Sequence, residues 1–236
     1  KDASEIGSLL NGIEAYIEEH PEEALKVLES VNREELTTRK LKAKHSLLYS
    51  MALDKNYIDV TTDSIIAPAV NYYKYHGTDE ERFKSLYYAG RVYQNAGDIE
   101  AAMERFVEAE RYISNQVDKK IVARLYKAKM VACRGMFDYP SAVEQAQKAA
   151  RYYLYAKDSV RYLNAVNDII VLYSLLEDKE SEDQYLAILS FNMHLLSTSQ
   201  ISRYYGIKLN RSLEGPVENI QNTLKDYLAA TPDESM

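Results

Sequence analysis

Residues 85–110 read SLYYAGRVYQNAGDIEAAMERFVEAE. Leu86, Ala89, Val92 and Tyr93, then Ile99, Ala102, Met103, Phe106 and Ala109, recur at intervals of three and four, the period of an amphipathic helix. Gly97-Asp98 separates the two runs, and Gly97 can supply a tight turn without steric cost. Gly90 and Ala102 are small where two helices must approach closely, whereas Tyr93 and Phe106 are large enough to fill the space between neighbouring hairpins. The stretch therefore predicts an antiparallel helical hairpin. A pair built this way cannot bury its apolar face alone and must stack on further pairs.

Working outward, the same periodicity covers nearly the whole chain. Helix punctuation recurs with it: Pro21 follows His20 at a first-turn position, and Thr78 with Glu81, Ser141 with Glu144, and Ser197 with Gln200 have capping-box spacing. Gly215-Pro216 marks another break. These signals predict about twelve helices in six hairpins with short loops, among them spans at 63–75, 98–113, 140–156 and 179–196. No Pro/Ser-rich or like-charged linker interrupts the chain, so the expectation is one domain over 1–230 with a disordered tail over 231–236.

The unit at 85–110 resembles the tetratricopeptide repeat. Leu86, Ala89, Gly90 and Tyr93 have the W-x2-L-G-x2-Y spacing, and Ala102 with Phe106 the A-x3-F spacing. Leu86 stands in place of Trp, Ala89 in place of Leu, and Ser114 where Pro would fall. The next hairpin aligns through Tyr126, Met130, Cys133, Ala142, Ala146 and Ala149, which sets Ala142 40 residues after Ala102 against a family period of about 34. The first hairpin, around Leu9–Val31, and the fifth, through Val166, Ile169, Ile170, Tyr173, Leu186 and Leu189, match by periodicity alone. The resemblance implies an all-α fold, a right-handed superhelix of about six antiparallel hairpins. Residues 52–110 also resemble the tetratricopeptide segment of envelope-attached proteins from Gram-negative gut anaerobes. That likeness implies a periplasmic or membrane-anchored module with a lipid-attachment signal upstream. Composition and spacing are silent on the compartment and leave the cytoplasm open.

Composition narrows the function classes. The 236 residues include 8 Gly, 5 Pro, 1 Cys, no Trp and 21 Tyr, too little Gly and Pro for a loop-rich sandwich and no pair of cysteines for an internal disulfide. A net charge of −7 opposes general nucleic-acid binding, which needs a positive field. The longest apolar stretch, Ile169 to Tyr173 followed after Ser174 by Leu175 and Leu176, is less than half of the roughly 20 residues of a membrane span.

No catalytic or metal constellation emerges. His20, His45, His76 and His194 lie on different hairpins without ligand spacing, and Cys133 occupies an interior helical position. The acidic pairs Glu18-Glu19, Glu22-Glu23 and Glu34-Glu35 read as helix-start or solvated carboxylates rather than glycosidase pairs. The expectation is a chain that is no enzyme, with no cofactor and no metal.

The family resemblance places a peptide-binding groove on the first helices of successive hairpins. Carried over, it nominates Lys84, Tyr87, Tyr88, Arg91, Gln94 and Asn95, with Lys44, His45 and Tyr49 before them and Arg124, Lys127, Arg134, Asn164 and Asn167 after. In each adjacent Tyr pair, one ring is expected to face the core and the other a groove or neighbouring hairpin. A basic, amide and aromatic lining suits an acidic or polar peptide segment of a protein partner. The alternative is a small-molecule or glycan sensor, less readily a helical hydrolase, using Tyr-rich pockets between hairpins. The last helix, with Val217, Ile220, Leu224 and Leu228 on one face, either caps the array or joins a homodimer.

Overall fold

A computed structural model describes residues 2–231; five of the six residues assigned to the disordered tail, 232–236, lie outside that range. The described residues form helices and no strands. In chain order they are α1 (Ala3–Tyr16), α2 (Pro21–Ser30), α3 (Arg39–Lys55), α4 (Ala67–His76), α5 (Asp79–Asn95), α6 (Ile99–Glu110), α7 (Lys119–Gly135), α8 (Tyr139–Tyr155), α9 (Ser159–Leu175), α10 (Lys179–Phe191), α11 (Thr198–Ser212) and α12 (Val217–Ala230). Short 3-10 turns follow α2 and α10. Sequence neighbours pack against each other, as in an α-solenoid of helical hairpins. The chain divides into two compact units, the division falling between Ala132 and Cys133, inside α7.

One turn design repeats along the chain. After α5 the chain passes through Gly97 at φ +79, and the amide of Asp98 returns to the Tyr93 carbonyl at 3.0 Å. The Asp98 carboxylate then accepts from the Ala101 amide and starts α6. The same arrangement recurs with Phe137 before Asp138, Lys157 before Asp158 and Glu177 before Asp178, all at φ between 55 and 60. Each aspartate caps the next helix through the amide of Ser141, Arg161 or Ser181. A left-handed residue closing the last turn, followed by an Asx cap, ends one helix and begins the next within two residues. With Asp118, which accepts from the Lys120 amide, these aspartates fall at 98, 118, 138, 158 and 178, every 20 residues. Two such steps account for the 40-residue offset between Ala102 and Ala142.

Two expected boundaries shift for local reasons. The capping box at Thr78 and Glu81 forms, as does that at Ser197 and Gln200, but α8 is capped by Asp138, whose carboxylate accepts from the Ser141 amide. Helix α4 begins at Ala67, not near 63, because Pro68 lacks an amide hydrogen and is tolerated only in a first turn. The α10 helix stops at Phe191, where the Asn192 side-chain amide donates to the Ile188 carbonyl at 2.8 Å.

In the first unit the core lies between the helix layers. Phe83, Tyr88, Phe106 and Leu125 are buried, and a Cβ on Gly90 would stand 2.4 Å from the Phe106 ring. The odd-numbered helices α1, α3 and α5 also lie side by side. In the second unit Leu163, Val166, Ile170, Leu186, Leu189 and Tyr204 form one apolar cluster, edged by Gln147, which donates to the hydroxyls of Tyr173 and Tyr185.

Candidate functional site

A chain of polar contacts runs across one face of the first unit, along helices α1, α3, α5 and α7. Lys44 on α3 pairs with Glu14 on α1 at 2.7 Å. Glu18, just past α1, receives Lys55 of α3 at 2.6 Å and Arg124 of α7 at 2.9 Å. Asp54 of α3 receives the Nε of Arg91 on α5 at 2.9 Å, and Gln94 on α5 donates to the Ala128 carbonyl of α7 at 2.9 Å. Packed helices stand roughly 8–10 Å apart. A flat row of four would therefore hold α1 and α7 too far apart for one ion pair, so the contact of Glu18 with Arg124 requires the row to curl within this unit, with the polar face inside.

Glu18 is the centre of this face. Burial pushes its carboxyl up, but hydrogen bonds and charge from Arg124 and Lys55 outweigh it and hold the pKa at about 2. The guanidinium of Arg124 is penalised by burial yet stays firmly charged through the same pair, and Arg91 does so through Asp54. A carboxyl depressed on folding stabilises the fold above its ordinary range near 4.5, and that contribution disappears as pH falls from there through about 2. Replacing Glu18 with Gln should therefore flatten the acid limb of a melting-temperature profile in that window; an unchanged acid limb would show the pair contributes nothing.

The nominated residues divide. Arg91, Gln94, Arg124 and the half-buried Lys127 lie on the helices that share this face, and Asn95 lines a small cleft beside Arg91. Lys84 is turned to its own helix, pairing with Glu80 at 2.6 Å. Among the adjacent tyrosines, Tyr73, Tyr153 and Tyr204 are buried while Tyr72, Tyr152 and Tyr205 are half-exposed, as the 100° offset along a helix predicts. The pair nominated for the groove departs from that pattern. Tyr87 and Tyr88 are both buried, because α5 is covered by α6 on one side and α3 on the other: Tyr87 leans on Phe106, and Tyr88 lines the cleft with Ser50 and Asp54. They form part of the wall and present no open aromatic surface. The Tyr88 hydroxyl and Ser50 Oγ, both buried, have no hydrogen-bond partner among the described residues, and burial holds the Tyr88 pKa well above the usual phenol range.

In the second unit Arg134 is exposed at the end of α7, Asn164 accepts from Gln200 at 2.9 Å, and Asn167 is buried. Of the earlier nominations, Lys44 belongs to the polar face, whereas the ring of His45 points to the Leu28 carbonyl at 3.0 Å and packs near Tyr49. Glu18, Asp54 and Lys55 were not foreseen. The local sequence places Glu18-Glu19 at a helix end, and nothing within it signals a cation 106 residues away. Among the described residues there is no cluster of three His, Cys, Asp or Glu side chains able to hold a metal, and no helix long and apolar enough to cross a membrane.

Comparison with models of known protein families, with curated proteins and with solved structures found no match for this chain. The geometry itself defines the class: an all-helical α-solenoid of hairpins carrying a paired, charge-rich face on its first unit.

Proposed function

We propose that the chain is a non-catalytic binding module whose first unit engages an acidic or polar peptide segment along the face shared by α1, α3, α5 and α7. The observation that carries this reading is the grip on the Glu18 carboxylate. Two cations from separate helices converge on it at 2.6 and 2.9 Å, the arrangement that would hold an aspartate or glutamate of a partner. Glu18 thus stands in for the acidic side chain of a ligand. Its side chain retains 45% exposure, so a peptide carboxylate could displace it without opening the core. The unpartnered hydroxyls of Ser50 and Tyr88 add polar atoms in the neighbouring cleft.

Exchange of partners makes a prediction opposite in sign for the two sides of the pair. On an array of acidic peptides and their amide analogues, Glu18→Gln should bind acidic sequences several-fold more tightly than wild type, since it leaves two cations under-neutralised. Arg124→Gln should bind them several-fold more weakly. Indifference of both variants, or equal binding of acidic and amide peptides, would remove the assignment of this face.

A further inference from the structure

A second cleft, of about 220 Å3, opens between α4, α5 and α6 and shares no residue with the face described above. Its apolar lining is Val70 on α4 and Leu86 on α5, with Asn71 and Ser85 beside them. Leu86 is the residue found where the repeat pattern has Trp, so the cleft lies beside a position filled by a smaller side chain than that pattern specifies. Three cations also line it: Lys74 from α4, Arg82 from α5 and Arg105 from α6. Against them stands Glu108, which accepts from Arg105 at 3.1 Å, while Asp79 lies 3.9 Å from an Arg82 nitrogen. Lys74 has no carboxylate partner among the described residues; its Nζ sits 5.4 Å from the centre of the Tyr75 ring. The remaining wall is Tyr112, whose ring carries the Arg82 guanidinium at 5.6 Å.

These features are unusual in combination. The chain carries a net charge of −7, yet this concave spot has three cations lining it to one carboxylate. A cleft with one sign of charge and low-dielectric walls concentrates the opposite ion. The Arg82 guanidinium is oriented from within: its Nε donates to the Tyr73 carbonyl at 3.2 Å and its plane is held near Tyr112. It is therefore ordered before any ligand arrives, which reduces the entropy lost on binding. Surface lysines scattered over a solvated helix would share neither the apolar lining of Val70 and Leu86 nor the Tyr112 ring.

We infer that this cleft is a binding site for a small anion with a planar or apolar body, an aromatic carboxylate or phosphate ester. The anionic group would lie among Lys74, Arg82 and Arg105, and the body over Val70 and Leu86 against Tyr112. The volume is below the roughly 300–1,000 Å3 of pockets for drug-sized ligands, so the fit is to a compact molecule. This inference is independent of the peptide reading, and either can fail without the other.

The test is calorimetric titration of the full chain with phenyl phosphate and with benzoate, using benzamide and sulfate at matched ionic strength as controls. Wild type should bind at least one of the two aromatic anions, and benzamide and sulfate much more weakly. Lys74→Gln/Arg105→Gln changes two partly exposed side chains and should weaken that binding by at least about tenfold while the unliganded melting temperature stays close to wild type. Val70→Phe, at a half-buried lining position, should abolish binding by filling the cleft. The inference is overturned if neither aromatic anion binds wild type, if either control binds as well as they do, or if both folded variants retain wild-type affinity.

Discussion

Gly90→Ala is expected to destabilise the first unit by about 2 kcal/mol, lowering its melting temperature by roughly 4–8 °C. In isolation the substitution should help, since alanine is favoured over glycine inside a helix by about 1 kcal/mol. Here the new Cβ would sit 2.4 Å from one carbon of the Phe106 ring and 2.5 Å from another. Phe106 is fully buried, so its ring cannot swing into solvent, and either α5 and α6 separate or the ring leaves its rotamer. Gly97→Ala is the informative comparison. Nothing lies within 4 Å of its Cβ, and its cost is the left-handed backbone at φ +79 alone, about 1 kcal/mol. The mechanism is read from a double-mutant cycle by denaturant melts. Phe106→Leu should recover part of the Gly90→Ala loss, giving a coupling of at least about 1 kcal/mol, and should leave Gly97→Ala unaffected. Strict additivity of Gly90→Ala with Phe106→Leu would mean the two helices are not in contact through that pair.

The same hairpin shows why part of this molecule is legible in sequence. The hairpin at 85–110 carries its instructions locally: the helical period, a small residue opposite a large one, and a glycine where positive φ is needed. The later turns follow the same geometry without glycine, at Phe137, Lys157 and Glu177, so the aspartate after each is the dependable signal. Reading Ser141 as a cap missed Asp138 because both are good capping residues, and the choice depends on where the preceding helix closes.

The candidate site was legible in one direction only. Arg91, Gln94 and Arg124 emerge from the repeat resemblance, which assigns them to one side of their helices, and they do lie on the helices that share the polar face. Their partners do not emerge this way, since Glu18 and Asp54 reach them from other hairpins, and the net charge on a surface depends on those partners. Of the lining that looks basic in sequence, Lys44, Lys84, Arg91 and Arg124 are each paired with a carboxylate in the folded unit. The burial of both Tyr87 and Tyr88 has the same origin: a single helix predicts two faces, but a helix packed between neighbours has more than one buried side.

The second large effect is expected in the other unit, at Arg211. Its guanidinium on α11 donates to Glu182 and Asp183 of α10. Glu182 is buried, with 5% exposure, and its second oxygen Oε1 already lacks a partner among the described residues. Arg211→Ala would therefore strand a buried carboxylate. Removing one partner of a buried pair costs roughly 3–5 kcal/mol; because Arg211 is 28% exposed and water can reach the remaining carboxylate, we expect about 2–3 kcal/mol. Glu182→Gln in the Arg211→Ala background should restore part of the loss at neutral pH, and Glu182→Leu with Arg211→Met should come within about 1 kcal/mol of wild type, because an apolar pair avoids the desolvation that the ion pair must offset. Amide hydrogen exchange in α10 and α11 would localise the change to those helices. A deficit that Glu182→Gln leaves untouched would show that Arg211 contributes through its aliphatic stem rather than by neutralising Glu182.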